Sequence, residues 1–415
     1  MRLLQRRLSL RRLSAVLVAL VAGVVALIVV PGTAGADEAF YQPPSPLPAG
    51  EDGDVIRSQP SDVAGGEATR IMYLSRDTHG NRIPVTGTVI VPDRPWNGPG
   101  ERPIVAYAPF TSGMGDRCAP SKTIAGEGNS GLPVDIHGLF IGPLLDRGIA
   151  VAQTDYEGFG TPGDHTYVIR QAEAHAVLDV LRAAQRLEGA GLPSDGPVGI
   201  TGYSQGGGAS AAAAELAASY APELDVRGAY AGAPPADLSV LAESLDGSYT
   251  AGFLGFSLIS LNAAYPELDI LGLASDRGRE LFERGRDACL TDSIFGYAFQ
   301  RSSTWTADGR PVAEYLDEEP FASVVAEQRI GNIAPEVPVL VEHARNDDIV
   351  PYGQGRQMAR DWCAAGAESV QFRDIFSLVP LFSHASAALN AATNSANWLQ
   401  GRFSGTEPGS NCGSF

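Results

Sequence analysis

The sequence predicts an α/β fold in which a mostly parallel sheet carries helices on both faces, and three observations support that expectation. Short apolar runs of the buried-strand type occur at Ile104–Ala108, Ile149–Thr154, Val198–Gly202, Gly228–Ala231 and Val339–Glu342. Longer helical patterns alternate with them at Tyr167–Leu187, Gln205–Tyr220, Gly353–Ala365 and Ala385–Leu399; strands that alternate with helices imply crossovers into a parallel sheet. The stretch from Leu238 to Ile330 breaks the alternation, with helical and loop patterns but no convincing strand.

Taken from the N-terminus, Arg2, Arg6, Arg7, Arg11 and Arg12 precede an uncharged apolar run from Ala15 to Val30, followed by Pro31-Gly32-Thr33-Ala34-Gly35-Ala36. This is the layout of a signal peptide (residues 1–36), with cleavage expected after Ala36 and export as the consequence. An uncut membrane anchor is the alternative; the run falls just short of the ~18 residues a spanning helix needs. Loss of the five arginines takes the formal charge from −18 to −23. So acidic a chain is a poor partner for nucleic acid, and the charge favours solubility and repels anionic surfaces.

Residues 37–66 are rich in Pro, Gly and acidic residues with little periodicity, and read as an extended N-terminal arm. Thr69–Ser75 and Val85–Val91, separated by Asp77-Thr78-His79-Gly80-Asn81, read as an antiparallel pair joined by a turn. The core is then expected over 67–237 and 331–415, with 238–330 inserted as a helical cap. The apolar segment Ala251–Leu273, with Phe253, Leu254, Phe256, Leu258, Ile259 and Leu261, has the composition of a cap over an apolar substrate. Packed core helices would share that composition.

All four cysteines, Cys118, Cys289, Cys363 and Cys412, follow the exported segment, and their even number suggests two disulfides among three possible pairings. No C-x-x-C spacing or His/Cys cluster points to zinc, and no cofactor is expected.

Gly202-Tyr203-Ser204-Gln205-Gly206 matches G-x-S-x-G, a pattern expected roughly 0.4 times by chance in so glycine-rich a chain. Context gives it weight. The apolar run Pro197–Thr201 leads into it and the helical run Gly207–Leu216 leads out, which is the strand, sharp turn and helix of a nucleophile elbow in an α/β-hydrolase fold. The turn strains the serine backbone, the flanking glycines let strand and helix approach, and the helix N-terminus favours a developing oxyanion.

A serine hydroxyl needs a base held by an acid, and in this fold the order is Ser, acid, His. Only His343 and His384 follow Ser204. His343 ends a strand and reads as structural; His384 lies in the loop Pro380-Leu381-Phe382-Ser383-His384 ahead of the last helix and is the better base. Asp347 and Asp348, in Asn346-Asp347-Asp348-Ile349-Val350-Pro351, compete for the acid, with Asp347 favoured. One oxyanion donor is expected at the Gln205 backbone N–H. The second should come from Pro109-Phe110-Thr111; Pro109 has no N–H, which leaves Phe110 or Thr111.

From about Arg70 to Cys412 the chain resembles the secretory lipase family, the lipase A type of yeasts and actinobacteria. The likeness rests on Cys118-Ala119-Pro120-Ser121, on Asp155-Tyr156-Glu157-Gly158-Phe159, on Ser219-Tyr220-Ala221-Pro222-Glu223-Leu224 after the elbow, and above all on Asp347-Asp348-Ile349-Val350-Pro351-Tyr352. It implies a triad of Ser204, Asp347 and His384 under a helical cap, hydrolysing acylglycerol esters at a lipid–water interface without metal or organic cofactor and with no obligate protein partner. It also implies the disulfides Cys118–Cys289 and Cys363–Cys412. The oxyanion loop departs from a related lipase, which carries an acidic residue there, whereas Pro109-Phe110-Thr111 has none. The same residues would serve a short-chain carboxylesterase with a tighter pocket, or an exported peptidase or acyltransferase. A non-catalytic binding module is the alternative of another class.

Overall fold

The computed structural model describes residues 38–129, 131, 136–377, 379 and 381–415. The expected signal peptide and its cleavage site at Ala36 lie outside the described residues. The chain divides into a unit Met1–Phe40, of which Glu38, Ala39 and Phe40 are described and helical, and a unit Tyr41–Phe415.

The second unit is built on a nine-stranded sheet in the order β1-β2-β3-β5-β4-β6-β7-β8-β9. Its strands are β1 (Val55–Ser61), β2 (Gly66–Arg76), β3 (Arg82–Pro92), β4 (Ile104–Ala108), β5 (Ala150–Thr154), β6 (Val198–Tyr203), β7 (Val226–Gly232), β8 (Val339–His343) and β9 (Val370–Asp374). From β5 across to β9 every pairing is parallel; β1, β2 and β3 add an antiparallel flank that joins β5. The β2–β3 hairpin turns at Asp77, whose Oδ1 accepts the His79 and Asn81 N–H groups at 2.9 and 2.8 Å.

Two strands depart from the sequence expectation. Residues 55–61, read as part of an arm, pair with β2 as an edge strand, half-buried to exposed and with Pro60 inside it, so no alternation of apolar residues marked it. β9 is short and carries only Val370 and Phe372 as apolar residues.

Helices of eight residues or more are α1 (Gly138–Leu145), α2 (Arg170–Arg186), α3 (Gln205–Tyr220), α4 (Leu238–Leu245), α5 (Ala251–Ala264), α6 (Asp276–Arg286), α7 (Leu290–Tyr297), α8 (Phe321–Gln328), α9 (Tyr352–Ala364) and α10 (Ser383–Phe403). The period of two along each strand divides the core. Ile104, Ala106 and Ala108 of β4 and Val339 and Val341 of β8 face α2, α3 and α9 in one apolar cluster. Val105, Tyr107 and Leu340 point the other way, to α1 and α10. Because both faces are covered, the central strands are apolar at nearly every position.

Between Gly232 and Val339 the chain leaves the sheet for α4 to α8, which bury their own cluster of Phe253, Phe256, Ile259, Leu281, Phe282 and Trp305. The disulfide Cys118–Cys289 ties this segment to the loop after β4, and Cys363–Cys412 ties the end of α9 to the C-terminal tail. Among the described residues no helix is long and apolar enough to cross a membrane.

Candidate active site

The three loops that matter leave the same edge of the parallel sheet, because β4, β6 and β8 all run in one direction. Ser204 follows β6 directly, with φ 60° and ψ −125°, in the left-handed half of backbone space that a serine adopts only under constraint. Its N–H donates to the Gly232 carbonyl at the end of β7, 2.8 Å away, and α3 begins at the next residue. The elbow is as tight as the glycine pattern implied. A Cβ on Gly202 would stand 2.1 Å from the Gly206 carbonyl oxygen, and one on Gly206 would stand 2.0 Å from that of Ala108.

The same close approach brings the loop after β4 against the elbow. The Pro109 carbonyl is occupied by the Tyr156 hydroxyl at 2.8 Å, Phe110 stacks on His137 with centroids 4.3 Å apart, and the Thr111 hydroxyl meets that of Tyr167 at 3.2 Å. Gln205 is the first residue of α3, so its N–H has no acceptor within the helix.

Asp347 sits beyond β8 with its carboxylate buried. Oδ1 accepts the N–H groups of Ile349 and Val350 at 3.0 and 2.9 Å, which fixes the side chain, and Oδ2 lies 2.8 Å from His384 Nδ1. A carboxylate only accepts, so Nδ1 carries the proton and Nε2 is left with its lone pair. Burial opposes ionisation of Asp347. Electrostatic attraction and hydrogen bonding to His384, with His343, outweigh it and hold the carboxyl well below the ordinary carboxylate range. His343 itself is buried, donates from Nε2 to the Val350 carbonyl at 3.0 Å and stands 3.5 Å from Asp347 Oδ2, a supporting place consistent with its strand position.

His384 is not in a loop, as its sequence context suggested, but is the second residue of α10. The helix starts earlier because Asp348 caps it from a distance. Phe382, in the capping position, offers no side-chain acceptor, and Asp348 Oδ1 takes the His384 N–H at 2.8 Å and the Ser383 hydroxyl at 2.9 Å. Of the two competing aspartates, then, Asp347 meets the imidazole and Asp348 the backbone. From the core side, the Tyr203 hydroxyl donates to the His384 carbonyl at 2.8 Å, and the two rings lie 5.0 Å apart. This brings the imidazole beside the residue preceding Ser204, although the Ser204 hydroxyl forms no hydrogen bond with His384.

Two buried groups that sequence reasoning missed lie under the elbow. The Gln205 side-chain amide donates to Glu173 Oε1 at 2.8 Å and to His165 Nε2 at 3.0 Å, and His165 Nδ1 donates to the Glu157 carbonyl at 3.0 Å. Burial pushes Glu173 up to about 8, against its hydrogen bonds from Gln205 and Val168, and pushes His165 down to about 4. No spacing links positions 165, 173 and 205; only the fold does. Within the inserted helices, an apolar pocket is lined by Phe256, Leu258, Ile259, Leu281, Phe282 and Trp305, and not by Ser204, Asp347 or His384.

The chain is similar to known proteins over most of its length. The family model described as "Secretory lipase" matches residues 126–411. A Mycobacterium tuberculosis protein described as a probable inactive lipase is 31% identical over 384 residues, covering 89% of this chain and 82% of its own length. Lipase A of Moesziomyces aphidis is 29% identical over 434 residues, covering 98% of this chain and 90% of its own. Among solved structures, Candida antarctica lipase A in its closed state superposes with a TM-score of 0.80 at 27% identity, over 90% of this chain and 87% of that one. The sheet with its elbow is thus an α/β-hydrolase fold, and the chain belongs to the secretory lipase family and is a carboxylic ester hydrolase.

Proposed function

We propose that the chain is an exported lipase that hydrolyses carboxylic ester bonds of acylglycerols through an acyl-enzyme on Ser204. The observation that carries this reading is the 2.8 Å bond from His384 Nδ1 to Asp347 Oδ2, on the sheet edge where Ser204 stands at its elbow. In the proposed reaction His384 Nε2 closes on Ser204 as substrate binds and takes the hydroxyl proton while Oγ attacks the ester carbonyl. The tetrahedral oxyanion is received by the Gln205 N–H and by that of Phe110 or Thr111. His384 then protonates the departing alcohol, and a water, deprotonated by the same imidazole, releases the carboxylic acid. Asp347 keeps the tautomer and stabilises the imidazolium.

The inserted helices act as the cap, and their apolar cavity receives the acyl chain, assisted by apolar side chains of the segment 376–382 such as Phe376 and Phe382. Export by cleavage after Ala36 accords with the secreted triacylglycerol lipases of Malassezia globosa among the relatives. The mycobacterial relative described as a probable inactive lipase favours a second reading, a binding module without catalysis. Against that reading stand the His384–Asp347 bond and the strained elbow that holds Ser204 in this chain. Hydrolysis of p-nitrophenyl esters of increasing chain length and of emulsified triacylglycerol tests the reading: activity that rises toward long chains and on the emulsion supports a lipase. Activity confined to short soluble esters indicates a carboxylesterase, and none at all a binding module.

A further inference from the structure

We propose that Tyr249, contributed by the inserted helical segment, is a positioning residue for His384 and acts through Asp348. The inference rests on the reading of Ser204 and His384 as nucleophile and base.

Asp348 uses both carboxylate oxygens. Oδ1 accepts the His384 N–H and the Ser383 hydroxyl, and Oδ2 accepts the Tyr249 hydroxyl at 2.9 Å. The Tyr249 ring also meets Phe382 edge-on, with centroids 6.4 Å apart. The inserted segment therefore reaches the start of α10 at two points, one polar and one aromatic.

The start of α10 needs such support. Leu381 is held at φ 72°, a conformation that costs an L side chain energy and persists only where neighbours impose it. Around it Phe376, Leu381 and Phe382 are 70%, 79% and 59% exposed, so packing supplies little of the constraint. On the core side Tyr203 holds the His384 carbonyl; on the opposite side the chain of contacts is Tyr249, Asp348, His384. Burial and the adjacent Asp348 push the Tyr249 phenol well above its ordinary range, so it remains a donor at neutral pH. Losing its hydroxyl leaves Asp348 held through Oδ1 alone, so the carboxylate and the start of α10 are less tightly fixed and the base occupies its productive position for a smaller fraction of time.

The test compares Tyr249→Phe, Asp348→Asn and the double variant of the mature chain, using p-nitrophenyl butyrate, p-nitrophenyl laurate and the rate of labelling by a fluorophosphonate. Tyr249→Phe keeps the ring contact with Phe382, and rates are taken per folded molecule by circular dichroism, so lost stability does not imitate the effect. The expected result is a roughly tenfold fall in kcat for both esters, with KM little changed and the labelling rate reduced by the same factor. The double variant should fall no further than Asp348→Asn alone. Wild-type kcat and labelling in Tyr249→Phe would overturn the proposal. So would a loss seen only with laurate or only in KM, which marks a substrate contact, or losses that add in the double variant. Ser204→Ala, run in parallel, separates the two failures: if it is still labelled, the nucleophile reading has failed rather than the Tyr249 link.

Discussion

His384 Nδ1 lies 2.8 Å from Asp347 Oδ2, while the neighbouring aspartate, Asp348, meets His384 at its backbone N–H and not at its ring. Two consecutive carboxylates thus hold one histidine in different ways, and the two roles separate experimentally. Asp347→Asn removes the acceptor that fixes the tautomer and should lower kcat by up to about ten-thousandfold. Asp348→Asn leaves the imidazole bonded to Asp347 and should cost far less. Steady-state kinetics of the two variants on one ester checks the order; a larger loss at Asp348 would reverse the assignment.

Gly206 has no room for a methyl group against the Ala108 carbonyl. Gly206→Ala should therefore push α3 away from β4, destabilising the chain by roughly 1–3 kcal/mol and lowering kcat as the elbow shifts. Chemical denaturation and ester kinetics measure both; unchanged stability and activity would mean that the elbow yields to a methyl group at Gly206.

The Cys363–Cys412 bond spans 49 residues and encloses α10 with His384. On the chain-entropy model its removal by Cys363→Ala with Cys412→Ala should cost about 4 kcal/mol. The urea midpoint reads this directly, and a loss well under about 1 kcal/mol would show that the C-terminal tail contributes little constraint.

Glu173 predicts a pH signature. Its ordinary value is 4.5 and burial raises it to about 8, so the folded state keeps a proton that the unfolded state gives up. Its contribution is fully present below 4.5 and is lost as pH rises through about 8. His165, lowered to about 4, has the opposite effect as pH falls below 6.5, but it is common to wild type and variant. The difference in Tm between wild type and Glu173→Gln should thus move against wild type from pH 4.5 to about 8. A flat difference would contradict the buried, protonated state.

The sequence revealed those parts of the fold that have a local signature. Val198–Gly202 and Val339–Glu342 are apolar at nearly every position because both sheet faces are covered, and the elbow glycines stand where backbones nearly touch. The features it hid have no local signature. β1 is a half-exposed edge, so neither face demands an apolar residue, and the cap on α10 comes from Asp348, 35 residues before Ser383. Tyr249, His165 and Glu173 are ordinary at their own positions and acquire their roles only through contacts across the fold.

Every step of the proposed chemistry depends on Ser204 as the nucleophile, and intact-mass and peptide analysis after treatment with a fluorophosphonate decides that role. The expected result is one adduct per chain, on Ser204, formed in step with the loss of esterase activity and absent from Ser204→Ala. Labelling at another residue, or full ester hydrolysis by Ser204→Ala, would contradict it.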